Sequence, residues 1–402
     1  MNDLSSLLEA LDQAQAGQQE VVIATVVKVE GSAYRRPGAR MVIAQLGDST
    51  GTVSGGCLES DVSKKAWWLT ANGKPTIRSY STGEDDDELE EAELSFGLGC
   101  NGTVHILFER IQPQAAVSES ASLVVDVLRD VRARGEGAAL ATVIGSHDER
   151  QVAIGERVVL GPSSGLRTQM RERWLARMIA EDLRAVLDGR RSATRTYEGA
   201  GGDIEVLLEY VPAPRRLVIF GAGHDASPLV SMARLQGWHI TLIDARPHFA
   251  RAQRFPEADR VLAAPLEPLP ELAAMAADAA VVVMTHSLTQ DRHWLGQVLQ
   301  CAPAYIGQLG PRSRTERLLD ELPAQDREAP ALSRLHYPVG LDLGGDTPDS
   351  VALSILSEIN AVFNGRNGSM LKFREASIHA VEASIHAVDV KLEQQAGLRM
   401  IG

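Results

Sequence analysis

The fold of this chain is decided by the stretch Arg216-Leu217-Val218-Ile219-Phe220-Gly221-Ala222-Gly223-His224-Asp225-Ala226. An apolar run there meets a glycine turn, the arrangement that lets a nucleotide phosphate approach bare backbone. Gly221 and Gly223 permit the tight turn, and Ala226 occupies the small third position of a G-x-G-x-x-G/A pattern. The pattern predicts the strand, turn and helix that open a Rossmann domain.

The residues after this turn continue the same fold. A helical pattern from Ser227 to Gly237 leads into the strand His239-Ile240-Thr241-Leu242-Ile243, which ends on Asp244. A Rossmann fold places at this position the acid that binds a ribose hydroxyl. Arg246 suits either a phosphate or an ion pair with the acid, so NAD(P) is allowed and not required. A glycine turn without any ligand is the alternative, because a fold does not fix a ligand.

Further strands and helices alternate toward the C-terminus, which predicts a doubly wound parallel sheet. The predicted elements are a strand at Ala279–Thr285, a helix near 290–300, a strand at Ala304–Gly310 and a helix near 313–322. A long helix is expected after Thr347, which suits an N-cap, with Pro348 at its first position and Gly365 past its end.

Two segments ahead of this domain share one order of motifs, and shared order predicts a repeated fold. The matched pairs are Ala24–Val27 with Ala141–Ile144, Gly38–Ile43 with Gly155–Leu160, Asn72–Lys74 with Asp188–Arg190, and the strands ending in Glu109 and Glu209. Chance similarity between short strands is the alternative. The second copy lacks any cysteine and has no counterpart of Tyr34–Gly38 or Ser54–Cys57. If the repeat is real, the residues absent from the copy are those the fold does not require, so they are the candidates for chemistry.

The sequence therefore predicts an α/β protein with four parts. Pro212-Ala213-Pro214 favours an extended linker and marks the boundary before the Rossmann domain. The N-terminal part is α+β with a degenerate second copy, and a Rossmann-like doubly wound parallel sheet follows. The expected ranges are a thiol-bearing domain at 1–112, its degenerate repeat with linker at 113–212, a nucleotide-binding domain at 213–368 and a helical tail at 369–402. A duplicated heptad over 375–388 predicts a short amphipathic helix in the tail.

Composition excludes several classes of partner. The 402 residues carry a formal net charge of -13, which disfavours nucleic acid and anionic membrane surfaces. Part of the charge lies in Glu84–Glu93, an acidic run typical of a solvated loop. No apolar stretch approaches membrane-spanning length and the N-terminal residues do not resemble a signal peptide, so we expect a cytoplasmic protein. Cys57, Cys100 and Cys301 form no C-x-x-C pair and are expected to be reduced thiols.

Two of these cysteines lie among glycines, where small ligands can approach the backbone. Cys57 is predicted just before a helix beginning near Leu58, whose positive end favours the thiolate. Cys100 lies in a second glycine-rich stretch. Arg35, Arg36 and Arg40 form a basic cluster that suits an anionic ligand such as a phosphate. Buried inert thiols and solvated surface arginines are the competing interpretations.

These motifs occur in the order found in the XdhC/CoxF family, which the sequence resembles over most of its length. The blocks that carry the resemblance are Gly31–Ala39, Ser54–Glu59, Gly97–Gly102, Phe220–His224, Asp244–Pro247, Tyr305–Ser313 and Gly340–Pro348. The resemblance implies an accessory protein that binds the molybdenum cofactor, a molybdopterin in mono- or dinucleotide form. Such a protein assists terminal sulfuration of the cofactor by a cysteine desulfurase and delivers it to xanthine dehydrogenase or a related molybdenum hydroxylase.

Carried onto this chain, the resemblance makes Cys57 and Cys100 the residues that contact the cofactor or relay sulfur, with Cys57 a possible ligand of molybdenum. The cofactor-binding residues it implies are Arg35, Arg36, Ser54, Gly55, Gly56, Glu59 and Gly99 in the first domain, and Gly221, Gly223, His224, Asp244 and Arg246 in the Rossmann domain. A homodimer is the expected assembly.

Two functions of other classes stay open at this point. An NAD(P)-dependent oxidoreductase would use Asp244 for the ribose and His286 or His293 as acid or base, since both histidines follow a predicted strand. A nucleotide-sensing scaffold would bind nucleotide with inert thiols and assemble through its tail.

Overall fold

The computed structural model describes residues 4–81, 102–113, 119–199 and 201–374. The chain divides into two compact units, Met1–Arg215 with Leu235–Gly237 and Arg216–Arg234 with Trp238–Gly402. Several predicted features lie outside the described residues, namely Gly99, Cys100, the acidic run Glu84–Glu93 and the heptads of the tail.

The first unit opens with a five-stranded antiparallel sheet in the order β3-β2-β1-β5-β4. Its elements are α1 (Leu4–Ala16), β1 (Val21–Gly31), β2 (Arg40–Ala44), β3 (Ser49–Gly51), α2 (Glu59–Leu69), β4 (Thr76–Ser81) and β5 (Gly102–Ile111). Val21 and Ile23 pack toward α1, whereas Val22 and Ala24 pack toward α2. Successive side chains of a strand point to opposite faces, and residues 21–27 of β1 are all buried because both faces of the sheet are covered there.

A second sheet repeats this topology in the order β8-β7-β6-β10-β9. Its elements are α3 (Glu119–Arg134), β6 (Ala138–Ser146), β7 (Arg157–Gly161), β8 (Gly165–Thr168), α4 (Arg173–Gly189), β9 (Ala193–Gly199) and β10 (Gly202–Val211). Even an irregularity is repeated, because the central strands bulge at Val27 in the first sheet and at Ile144 in the second. Both bulged residues lie in one buried cluster with Leu107 and Leu207. The degenerate second copy is confirmed.

The second unit is a six-stranded, entirely parallel sheet in the order β13-β12-β11-β14-β15-β16. Its strands are β11 (Arg216–Phe220), β12 (His239–Asp244), β13 (Arg260–Ala263), β14 (Ala280–Val283), β15 (Tyr305–Gln308) and β16 (Leu335–His336). Its helices are α5 (Ala226–Leu235), α6 (Leu272–Ala276), α7 (Leu288–Leu299), α8 (Arg312–Asp320), α9 (Ala324–Arg327) and α10 (Pro348–Phe363). This is the doubly wound order of a Rossmann fold, as predicted.

The predicted cap of the last long helix is also confirmed. Thr347 is the N-cap of α10 and its Oγ1 accepts a hydrogen bond of 3.2 Å from the Ser350 amide, with Pro348 in the first turn. Gly365 follows the helix in the left-handed region, at φ +63°. Across the described part of the chain, no helix has both the length and the apolar character that crossing a bilayer requires.

Candidate functional site

The turn that carries Cys57 is organised around one hydroxyl. Ser54 Oγ donates to Glu59 Oε2 at 2.5 Å and accepts from the amides of Leu58 at 3.0 Å and Gly56 at 3.3 Å. Hydrogen bonds to the side chain of Ser54 therefore hold together the cysteine turn, residues 54–58. Ser54 is buried, whereas Gly55 and Gly56 are exposed.

The Cys57 thiol lies on this hydroxyl. Its Sγ donates to Ser54 Oγ at 3.2 Å, and the side chain is half-buried. Leu58 is the N-cap of α2, so the thiol lies at the N-terminal end of a helix, as the sequence predicted. The helix dipole favours negative charge at that end. The half-buried thiol is thus partly open to solvent, where a ligand can meet it.

Glu59 faces into the turn. Its Oε1 accepts from the amides of Ser54 at 2.8 Å and Val53 at 3.2 Å, in addition to the contact from the Ser54 hydroxyl. Burial alone would raise the pKa of Glu59, but these hydrogen bonds outweigh it and hold the pKa below its ordinary value. The observed role of Glu59 is to support the turn; its contact with cofactor stays a prediction.

Several backbone amides of the cysteine turn are engaged inside the turn itself. Those of Ser54, Gly56 and Leu58 all donate to side chains of the turn itself. These three amides are therefore not available to an anion. Gly56 has φ +112° and open space where a side chain would stand, so a ligand can approach it closely.

The arginine loop, residues 34–38, supplies positive charge beside the turn. A Cβ on Gly55 would lie 3.4 Å from the Tyr34 ring, so the two segments are in contact. Burial lowers the pKa of Arg35, and the charges of Tyr34 and Glu59 oppose that shift. Arg35 is thus within electrostatic reach of the turn. Arg36 is exposed, and its carbonyl accepts from the Ala39 amide at 3.1 Å.

Arg40 does not belong to this cationic cluster, contrary to the sequence-based expectation. Its guanidinium is buried and forms a two-point ion pair with Glu209, at 2.7 Å and 2.6 Å. The pairing joins residues far apart in sequence, so no local pattern indicated it. Arg40 has its charge satisfied inside the protein.

Cys301 has the character of an inert thiol. Its Sγ donates to the Gln297 carbonyl at 3.3 Å, and burial raises the pKa of the thiol. A raised pKa reduces the thiolate fraction, which is the reactive form.

The glycine turn of the second unit is close-packed as predicted. Gly221 has φ +119°, and a Cβ there would lie 2.5 Å from the Met284 carbonyl oxygen. A Cβ on Gly223 would meet the Asp225 carboxylate. Only glycine fits the first of these positions, because both the backbone conformation and the space exclude a side chain. His224 is exposed at the same turn.

Asp244 is already engaged by the protein. It is completely buried and accepts four hydrogen bonds: from the Ala222 amide at 2.7 Å, the Arg246 amide at 2.9 Å, and Arg246 Nε and Nη2 at 2.9 Å and 2.8 Å. Burial alone would raise the pKa of Asp244, but these donors hold it below its ordinary value. Four donors nearly fill a carboxylate, so the half-buried Arg246 is the more accessible member of the pair.

The sequence did not predict one contact beside the glycine turn. His286 Nε2 lies 2.7 Å from Asp225 Oδ2, and His286 has a left-handed backbone at φ +61°. The pair joins the loop after β14 to the glycine turn after β11. His293, by contrast, contacts the Glu267 carbonyl at 3.2 Å and the Gln297 side chain at 2.7 Å, which ties it to its own helix and a neighbouring loop.

A buried polar network supports that loop. Asp291 accepts from Thr285 Oγ1 at 2.5 Å, Arg314 Nη2 at 2.7 Å and Gln308 Nε2 at 3.2 Å. Gln308 lies inside the Tyr305–Ser313 block and Arg314 directly follows it. That block was the sequence signal that could have indicated this network. Among the described residues, no group of three or more His, Cys, Asp or Glu side chains suits a metal ion.

Each of the two units contains a range that matches the model of a known family. Residues 14–81 match the model of the XdhC and CoxI family, and residues 217–359 match that of the XdhC Rossmann domain. A crystal structure described as a xanthine dehydrogenase from Bacillus halodurans is 26% identical, with a TM-score of 0.68 over 93% of this chain and 99% of that one.

Two curated relatives extend along nearly the whole chain. A probable xanthine dehydrogenase subunit from Bacillus subtilis is 30% identical over 89% of this chain and 97% of its own. The molybdenum cofactor insertion chaperone PaoD of Escherichia coli is 23% identical over 90% of this chain and 89% of its own. The protein described here belongs to the XdhC and CoxI family.

Proposed function

We propose that the protein is a chaperone that binds the molybdenum cofactor, assists its sulfuration and delivers it to xanthine dehydrogenase or a related molybdenum hydroxylase. The names of the two relatives, a cofactor insertion chaperone and a xanthine dehydrogenase subunit, support this role. A cysteine desulfurase would be its partner in sulfuration. A homodimer in the cytoplasm is the expected setting.

The observation that carries the proposal is the half-buried thiol of Cys57 at a helix N-terminus, in a turn that contacts the loop bearing Arg35. A soft thiolate suits a molybdenum–sulfur centre, and a guanidinium suits the phosphate of a molybdopterin. The second copy keeps the sheet but has Arg171, not a cysteine, immediately before the N-cap of its corresponding helix. The site is therefore an addition to the fold, which supports a role in binding.

The exposed side of the cysteine turn leaves room for such a cargo. Gly55 and Gly56 are exposed and Gly56 faces open space, so a bulky ring system can approach the thiol. Ser54 would hold Cys57 in place, and Glu59 would hold Ser54. We also propose that the second unit binds a nucleotide at Gly221 and Gly223.

An NAD(P)-dependent oxidoreductase is the second candidate. The contact between His286 and Asp225 favours it, because an oriented imidazole can exchange a proton with a substrate. The engagement of Asp244 by Arg246 and Ala222 argues against it, since the acid that would bind the ribose has little capacity left.

The test is to purify the protein with its bound small molecules and measure molybdenum and pterin fluorescence. Wild type and the Cys301→Ala control are expected to retain pterin, whereas Cys57→Ala loses most of it. Equal retention in Cys57→Ala would reject the role of the thiol. Pterin absent from all three, with a nicotinamide spectral change on adding substrate, would favour the oxidoreductase.

A further inference from the structure

Two buried ion pairs connect the copies of the first unit reciprocally. Arg40 at the start of β2 pairs with Glu209 in β10, at 2.7 Å and 2.6 Å. Arg157 at the start of β7 pairs with Glu109 in β5, at 2.7 Å and 2.5 Å. The arginines occupy matching positions in the repeat, and so do the glutamates. Each copy therefore supplies the carboxylate that neutralises the arginine of the other.

These pairs are almost fully removed from water. The side chains of Arg40 and Glu209 are each 6% exposed, and those of Arg157 and Glu109 are 2% and 1% exposed. Burial alone would lower the pKa of Arg40, but Glu209 and then Glu109 hold it above its ordinary value. A buried ion pair contributes little net stability, so its geometry is the more informative property.

Each pair closes the loop that precedes its arginine. Arg40 Nη1 donates to the Gly38 carbonyl at 2.8 Å, and Arg157 Nη1 donates to the Gly155 carbonyl at 3.2 Å. Both glycines are left-handed, at φ +95° and +87°. A Cβ on Gly38 would lie 2.6 Å from Glu209 Oε1, so this carboxylate lies directly against the backbone of the loop.

The two loops differ in what they carry. The loop that ends at Gly38 is the arginine loop, with Arg35 and Arg36 three and two residues before the glycine. The loop that ends at Gly155 has Val152 and Ala153 at those positions. The same ion pair and glycine contact thus hold the arginine loop in one copy and, in the other, a loop that lacks these two arginines.

We propose that Glu209 is a positioning residue for the cofactor site: acting through Arg40 and Gly38, it fixes the arginine loop, and with it Arg35, against the cysteine turn that Tyr34 contacts at Gly55. The second copy, which has no cysteine of its own, is retained because it supplies this carboxylate. The identity of the anionic ligand rests on the proposed function. The placement of Arg35 does not.

The matched pair of substitutions is Glu209→Gln and Glu109→Gln. Both remove one charge from a buried two-point ion pair, so both should lower the melting temperature by similar amounts. Only Glu209→Gln should weaken binding of purified molybdenum cofactor, by about tenfold, because only that pair holds a loop of the site. Equal loss of binding in both variants, or in neither, would overturn the proposal.

A second readout needs no cofactor. The rates at which anionic iodoacetate and neutral iodoacetamide alkylate Cys57 are measured by mass spectrometry of its peptide. A positioned Arg35 favours the anionic reagent. The rate with iodoacetate divided by the rate with iodoacetamide should therefore fall in Glu209→Gln and in Arg35→Gln and stay unchanged in Glu109→Gln. A ratio unchanged in Glu209→Gln would contradict the positioning role, whereas absence of cofactor binding by wild type would contradict only the proposed function.

If Glu209→Gln does not fold, Gly38→Ala and Gly155→Ala provide the alternative pair. Both substitutions introduce a side chain at a left-handed glycine packed against its surroundings. The rate ratio should fall in Gly38→Ala alone. A fall of the same size in Gly155→Ala would show that general loosening of the unit, and not the arginine loop, sets the ratio.

Discussion

Ser54 Oγ lies 3.2 Å from Cys57 Sγ and accepts its hydrogen bond, while donating to Glu59 on its other side. The thiol is therefore held by a residue three positions earlier in the chain. Because the same oxygen also receives two backbone amides, one hydroxyl determines the shape of the whole turn.

Ser54→Ala should therefore loosen the turn as well as the thiol. It leaves the amides of Gly56 and Leu58 without their acceptor, which predicts a loss of about 1–3 kcal/mol in the free energy of unfolding. Urea denaturation measures the loss, with exposed Ser60→Ala on the same helix as the control. A Ser54→Ala protein as stable as Ser60→Ala would contradict the role given to this hydroxyl.

Glu59 makes the stability of the turn depend on pH. Because hydrogen bonds hold its folded-state pKa below the ordinary value of 4.5, the contribution is complete above that pH and is lost as the pH falls through the folded-state pKa. The difference in unfolding free energy between wild type and Glu59→Gln should be constant near neutral pH and shrink in acid. Denaturation series at pH 7 and below 4.5 measure it. A difference that grows on acidification would have the wrong sign.

Cys57 and Cys301 should be chemically distinguishable. Burial raises the pKa of Cys301, so its thiolate fraction at neutral pH is small and iodoacetamide should modify it slowly. Peptide mass spectrometry after timed alkylation gives both rates. Cys301 reacting as fast as Cys57 at neutral pH would show that the two thiols do not differ as described, and the Cys301→Ala control for cofactor retention would lose its value.

Gly221→Ala should disrupt the Rossmann unit. The substitution combines a left-handed backbone with a Cβ placed 2.5 Å from the Met284 carbonyl oxygen, so backbone must move. We expect a loss of about 2 kcal/mol or more in stability. Gly189→Ala is the control, because that glycine ends α4 with nothing within 4 Å of the added atom. Equal melting temperatures for the two variants would be inconsistent with close packing at the turn.

Arg246→Ala tests whether Asp244 is held by its neighbour. The substitution leaves a fully buried carboxylate with the backbone donors alone, so the pKa of Asp244 should rise and the unfolding free energy should fall by about 1–3 kcal/mol. Arg251→Ala removes an exposed arginine nearby in sequence and serves as the control. Stability unchanged in Arg246→Ala would mean that Asp244 is satisfied without it.

Local patterns predicted the fold well. The glycine turn, the strand ending at Asp244 and the Thr347-Pro348 cap were all readable, because each depends on residues close in sequence. The repeat was readable because matched motifs occur in matched order. The short strand β13 (Arg260–Ala263) was missed, since four residues with charged and exposed members show no clear alternation.

The sequence was less informative about what individual side chains do. Arg40 looked like part of a cationic site, but it pairs with Glu209, 169 residues away, and no pattern in one sequence marks such a partner. The contact of Asp225 with His286 is similarly long-range. Glu59 was predicted to bind cofactor, and only the structure shows that its carboxylate points into the turn.

The most direct test of the account is to titrate purified molybdenum cofactor into wild type, Cys57→Ser and Cys301→Ser and measure the dissociation constants by pterin fluorescence. We predict that Cys57→Ser binds at least about tenfold more weakly, because it replaces the soft sulfur, and that Cys301→Ser binds like wild type. Equal affinity of Cys57→Ser and wild type would contradict the claim that this thiol meets the cofactor.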